Sequence, residues 1–153
     1  MTDQITVNGR RFKVTFAGDD TLLDVLRAVG CTEVKRGCEH GECGSCLVLV
    51  DGKPINACQV YAATVGDAEI VTSRGLTPDG SPHPIHDAFA ESGAVQCGFC
   101  TPGIVIATYA LLHERNNPTD SEIREALGGN ICRCTGYVKV VEAVRNACER
   151  TRR

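Results

Sequence analysis

Hydrophobic and polar positions change period partway along the chain. Near the start they alternate, in Ile5-Thr6-Val7 and again in Phe12-Lys13-Val14-Thr15-Phe16, with Asn8-Gly9 between them. Alternation on both sides of Asn-Gly predicts a β-hairpin, because that dipeptide accepts the positive φ of a tight turn. Asp20-Thr21 then precedes Leu22, Leu23, Val25, Leu26 and Val29 at helical spacing, and Gly30 is placed to end the helix. Leu47-Val48-Leu49-Val50, the Asp51-Gly52 turn and Lys53 to Val60 predict a second hairpin, and Glu69-Ile70-Val71-Thr72 a last strand. The order fits a small sheet crossed by one helix.

The pattern breaks at Arg74 to Pro84, RGLTPDGSPHP, which has three prolines and two glycines in eleven residues. Beyond it the period is helical. Ile85 to Ser92 reads as a short helix. Thr101-Pro102 reads as an N-cap followed by proline at the first helical position, opening a mostly apolar helix from Ile104 to Glu114. Thr119-Asp120-Ser121-Glu122 has the form of a capping box, for a helix that runs to Leu127 with Gly128 after it. Val138, Val141, Ala143, Val144 and Ala147 give a fourth helix its apolar face. The expected fold class is therefore α+β, with a mixed unit over 1–76, a linker over 77–84 and a helical unit over 85–153.

Composition narrows the function. Hydrophobic residues at 42% and charged residues at 23% are globular values. A net charge of −3 offers no basic face for nucleic acid. The longest apolar run, Gly103 to Leu112, falls short of the roughly 20 residues that span a bilayer, so no membrane insertion is expected. No apolar signal core follows the N-terminus, and Arg10-Arg11-Phe12 leads into strand pattern, which points to the cytoplasm. In a reducing compartment the ten cysteines need a reason other than disulfides, and metal ligation is the leading one.

Two thiol sets stand out. Cys38-x4-Cys43-x2-Cys46, with Cys58 twelve residues on, has the spacing of plant-type [2Fe–2S] ferredoxins. Soft thiolates suit iron–sulfur chemistry, and Gly41 and Gly44 let backbone N–H groups approach sulfur. A four-cysteine zinc site usually presents two paired knuckles, which this spacing matches poorly. A Rieske centre would need a second Cys-x-His to match Cys38-Glu39-His40, and Cys43-Gly44-Ser45-Cys46 lacks it. His40 reads as a loop residue near solvent. The second set is Cys97-x2-Cys100 and Cys132-x-Cys134, which flank predicted helices that can bring them to one end of a bundle. Cys31 and Cys148 read as ordinary buried or half-buried thiols. Lys35, Arg36 and Arg133 neighbour these cysteines, either to offset cluster charge or as solvated surface groups.

With both sets in view, the chain resembles the iron–sulfur subunit of the molybdenum hydroxylases, the family of xanthine dehydrogenase, aldehyde oxidoreductase and carbon monoxide dehydrogenase. GCEHGECGSC, AVQCGFCTPG and GNICRCTGY carry the likeness, in that order, over Ile5 to Ala147. The resemblance implies an N-terminal ferredoxin-like β-grasp domain with a [2Fe–2S] cluster on Cys38, Cys43, Cys46 and Cys58. It implies a C-terminal four-helix-bundle domain with a second on Cys97, Cys100, Cys132 and Cys134. Gln96 and Cys134 match residues that contact the molybdopterin. The implied partners are a large molybdopterin subunit and a medium FAD subunit, in a dimer of heterotrimers. Their complex hydroxylates a substrate carbon with oxygen from water, or in one branch reduces its substrate. No residue of this chain is then catalytic, and His40, His83, His86 and His113 are surface or packing groups. His86 stands where many relatives have glutamine. The competing readings are a free-standing ferredoxin-type electron carrier and a zinc-stapled interaction module.

Overall fold

A computed structural model describes residues 2–77 and 79–152; Met1, Arg153 and the linker's Pro78 lie outside the described residues. The chain runs β1 (Thr2–Val7), β2 (Arg10–Thr15), α1 (Leu22–Ala28), β3 (Leu47–Val50), β4 (Lys53–Asn56), β5 (Glu69–Val71), α2 (Pro84–Glu91), α3 (Thr101–Glu114), α4 (Asp120–Ala126) and α5 (Val138–Thr151). Short 3₁₀ turns cover Ala57–Gln59, Ala62–Thr64 and Ser73–Leu76.

Five strands form one sheet in the order β2-β1-β5-β3-β4. The β1–β2 and β3–β4 hairpins turn at Asn8-Gly9 and Asp51-Gly52, where both residues of each pair have positive φ as a tight hairpin turn requires. β1 and β5 pair in parallel, and α1 lies on the connection between them, so the sheet grasps that helix. Thr21 caps α1 through a capping box with Asp24. Leu22, Leu23 and Leu26 are fully buried against Ile5, Val7, Val48 and Ile70.

The continuous apolar run of β3 follows from burial on both faces. Val48 faces α1, while Leu49 belongs to the other core, with Phe89, Ile104, Ile123, Val140 and Val144. α3 lies between β3 and the remaining helices and buries Ile104, Val105, Ile106 and Leu111 around its circumference. α2 packs along α5. The helical unit is thus docked on the back of the sheet. At the exit of the sheet, Asn8 Oδ1 accepts from the Thr72 amide at 2.9 Å, and the buried Thr72 hydroxyl donates to Glu33 Oε1 at 2.7 Å.

The structure differs from the sequence reading in details. The second strand of the second hairpin stops at Asn56 rather than Val60: after one last bond from the Ala57 amide to the Cys46 carbonyl, the chain leaves the ladder for the 3₁₀ turn Ala57–Gln59. The cap of α3 is Cys100, not Thr101: the Cys100 carbonyl already accepts from the Ile104 amide at 3.1 Å. α2 starts one residue early, at Pro84, with His83 as its cap. Val138, expected on the apolar face of α5, is 70% exposed, and Val140 takes the buried place.

Candidate metal centres

The loop from Gly30 to Cys46 winds tightly, with positive φ at Glu39, Gly41 and Gly44. The winding turns three backbone amides onto one sulfur. The N–H groups of His40, Glu42 and Cys43 lie 3.3, 3.4 and 3.4 Å from Cys38 Sγ, and Cys38 N–H lies 3.4 Å from Cys43 Sγ. These donors, those of His40 and Cys43 first, pull the Cys38 thiol down to about 6. Two side chains, one at the end of β4 and one in the 3₁₀ turn after it, strap the loop: Asn56 Nδ2 donates to the Gly41 carbonyl and Gln59 Nε2 to the Glu39 carbonyl, both at 3.1 Å. Gln59 Nε2 also reaches Cys58 Sγ at 3.4 Å. Cys46 and Cys58 are buried beneath, and burial pushes the Cys46 thiol up to about 12.

The second site lies between the turn before α3 and the α4–α5 loop. Cys97 Sγ and Cys134 Sγ are 3.6 Å apart on the exposed side, and Cys100 meets Cys132 on the inner side. Burial pushes Cys100 up to about 12. Cys132 is partly desolvated, but the hydroxyl and amide of Thr135, at 3.1 and 3.5 Å, outweigh that and bring it down to about 7. The positive end of the α3 dipole points toward this site from Cys100.

In both places the thiols meet in twos: Cys38 with Cys43, Cys46 with Cys58, Cys97 with Cys134, Cys100 with Cys132. Among the described residues no three Cys, His, Asp or Glu side chains converge as one ion would require. Two pairs of thiolates facing each other suit a two-iron cluster, with two sulfurs for each iron, better than one tetrahedral zinc. The buried inner thiols of each site would carry charge only against a cationic core, which a bound cluster's iron supplies.

The two sites touch. Ile131 N–H donates to the Cys43 carbonyl at 2.9 Å, and Asn130 Nδ2 donates to the Gly44 carbonyl at 3.2 Å. A cleft of about 200 Å³ lies between them, lined by Cys43, Cys97, Cys100, Cys132, Cys134 and Phe99 among others. A side chain at Gly44 would strike the Gly129 carbonyl and the Asn130 amide.

The chain's similarities agree with this geometry. Residues 5–68 match the family described as "2Fe-2S iron-sulfur cluster binding domain", and residues 72–145 the family described as "[2Fe-2S] binding domain". The chain is 44% identical over 151 residues to the nicotinate dehydrogenase small FeS subunit of Eubacterium barkeri, covering 98% of this chain and 96% of that one. It is 46% identical over 154 residues to the xanthine dehydrogenase iron-sulfur-binding subunit of Escherichia coli O157:H7, covering 99% and 96%. The chain belongs to the iron–sulfur subunits of the molybdenum hydroxylases. Among solved structures of this family, quinoline 2-oxidoreductase from Pseudomonas putida 86 superposes with a TM-score of 0.94 at 37% identity, covering 99% of this chain and 96% of that one. The aldehyde oxidoreductase from Desulfovibrio desulfuricans ATCC 27774 superposes at 0.93 and 39% identity, and there this chain covers only 17% of the larger one. As a small subunit of this family, the protein is a non-catalytic iron–sulfur subunit of an oxidoreductase with two [2Fe–2S] domains.

Gln96 and Cys97 are both exposed, beside exposed Cys134, Val95, Phe99 and Ile131. Cys31 and Cys148 are buried outside both sites. Arg36 is engaged by Asp24 of α1 and by Glu39, and Lys35 Nζ donates to the Thr32 carbonyl, so nearby protein groups take up both cations. Only Arg133 of the three basic neighbours lines the cleft. Asn56, Gln59, Thr135, Asn130 and Tyr137 support the sites without being singled out by the sequence. Of these, Asn130, Thr135 and Tyr137 lie inside the GNICRCTGY motif, which was the available signal.

Proposed function

We propose that this subunit passes single electrons between a molybdopterin centre and FAD carried on partner chains. Cys38, Cys43, Cys46 and Cys58 hold one [2Fe–2S] cluster in a unit over 1–76. Cys97, Cys100, Cys132 and Cys134 hold the other in a unit over 85–153, with 77–84 as the joint. When bound, the clusters supply one-electron carriage; the protein supplies position and potential. The amides on Cys38 and the Thr135 hydroxyl on Cys132 donate to sulfur and favour the more negative, reduced state. The observation that carries the reading is the pairing of eight thiols into two sites joined at Cys43 and Ile131.

The exposed edge at Gln96 and Cys134, flanked by Val95, Phe99 and Ile131, is apolar and suits cover by a partner. We assign it to the large molybdopterin subunit, with Gln96 and Cys134 against the molybdopterin. A medium FAD subunit completes a heterotrimer, which pairs into a dimer. The complex hydroxylates a substrate carbon with oxygen from water, or reduces in the reverse-direction branch. Among the described residues no helix is long and apolar enough to cross a membrane. We place the complex in the cytoplasm, where a reducing environment keeps thiols available as ligands.

Purification of the tagged chain from its native host tests the assembly. Two larger chains, one with molybdenum and one with flavin, are expected to accompany it. Gln96→Ala should keep its iron and retain the molybdenum chain more weakly. A chain that purifies alone with both clusters would instead be a free-standing carrier.

A further inference from the structure

The segment from Gly129 to Tyr137 makes a set of contacts beyond those of its cysteines. Asn130 is only 4% exposed, and its Nδ2 donates to the Gly44 carbonyl in the other unit at 3.2 Å. The Ile131 amide donates to the Cys43 carbonyl at 2.9 Å. Behind these two hooks stands one hydroxyl. Tyr137 Oη donates to the Asn130 carbonyl at 2.9 Å and accepts from the Cys132 amide at 2.7 Å. Tyr137 holds a left-handed backbone, φ 68°. Asn8 and Asp51 do so in hairpin turns that favour their side chains; a bulky aromatic residue gains nothing of that kind, and its strain marks a position fixed by its surroundings. The approach it supports is backbone to backbone: a side chain at Gly103 would strike the Gly44 carbonyl, just as one at Gly44 would strike Gly129.

We propose that Asn130 and Tyr137 are positioning residues that lock the two cluster sites into one relative geometry. This rests on reading the eight cysteines as two cluster sites. The two units share apolar packing around Leu49 and Leu76, which docks the helices on the sheet but does not fix the path of the cysteine-bearing loops, and electron transfer between centres falls steeply as their separation grows. Tyr137 stiffens the stretch from Asn130 to Cys132, and Asn130 and Ile131 hook it onto Gly44 and Cys43. Neither side chain need touch a cluster; each acts through the backbone that carries a cysteine.

The test uses the full chain loaded with both clusters. Asn130→Ala and Tyr137→Phe are compared with Ile123→Val, which trims a fully buried side chain on α4. Iron per chain and thermal stability are measured first, then the dipolar coupling between the two reduced centres by pulsed EPR. An unaltered chain lacking two paramagnetic centres would refute the two-site reading itself. An unaltered chain with two centres but no defined coupling would refute the lock. With iron retained, both variants are expected to lose the single defined coupling in favour of a broad distribution, while Ile123→Val keeps it. Unchanged coupling in Tyr137→Phe, or equal broadening in Ile123→Val, would overturn the proposal. Loss of the second cluster in both Asn130→Ala and Tyr137→Phe would overturn it too, by making these residues builders of one site. If only Asn130→Ala fails to load, Tyr137→Phe decides, since it removes one oxygen and keeps the ring.

Discussion

Replacing Gly44 by alanine tests the contact between the two sites, because the cost can be split against a matched control. Gly44 and Gly66 both have positive φ, at 68° and 57°, but a Cβ at Gly66 meets open space while one at Gly44 meets the Gly129 carbonyl and the Asn130 amide. Gly66→Ala therefore carries only the left-handed backbone penalty, about 1–2 kcal/mol. Gly44→Ala adds about 1–3 kcal/mol of overpacking. It also displaces the Asn130 amide from the Gly44 carbonyl, leaving a buried polar group unpaired at about 1–3 kcal/mol. The expected excess of Gly44→Ala over Gly66→Ala is then roughly 2–6 kcal/mol, a large share of a domain stability of about 5–15 kcal/mol. Urea unfolding of both loaded variants under anaerobic conditions, followed by helical circular dichroism, measures the difference. Because both substitutions stiffen the unfolded chain alike, that effect cancels. Equal losses in the two variants would refute the close approach of the units at Gly44.

Cys43→Ser should cost the chain about half its iron and one of its two EPR signals, since the two thiol sets are separate; parallel loss of both signals would contradict independent sites. Asp24→Asn should destabilise by roughly 0.5–1 kcal/mol at neutral pH, discounted because the pair with Arg36 is more than a third exposed. The Arg36 guanidinium, then the Thr21 hydroxyl, holds Asp24 down at about 2 from the ordinary 3.8. A lowered folded value means that this stability is present above about 3.8 and lost as pH falls through about 2. Urea midpoints of parent and Asp24→Asn should therefore converge below pH 4, and a gap that is constant from pH 7 to pH 3 would contradict the assignment. Gln96→Ala should weaken retention of the molybdenum chain while sparing both clusters.

Much of the fold was legible because its signals are local. Asn8-Gly9, Asp51-Gly52 and the Thr119–Glu122 box act within a few residues of where they stand. The cysteine spacings were legible because converging thiolates restrict the turns between them. What escaped depends on neighbours far along the chain. The apolar run of β3 shows that both faces are covered but not that α3 covers one of them. Val138 fits the helical period of α5, yet it is the first residue of that helix, beyond the reach of α2, and projects into solvent. Arg36 beside Cys38 was open to reading as charge compensation or as a solvated group; its pairing with Asp24 in the first turn of α1 depends on a residue 12 positions away. Asn130 had no pattern to mark it as buried, because its acceptor is a backbone carbonyl 86 residues away.

The most direct test of the account is iron and acid-labile sulfide per chain, together with low-temperature EPR of the dithionite-reduced protein handled without air. About four irons, about four sulfides and two distinct S = 1/2 signals per chain are predicted. Zinc without iron, or about two irons with a single signal, would contradict it.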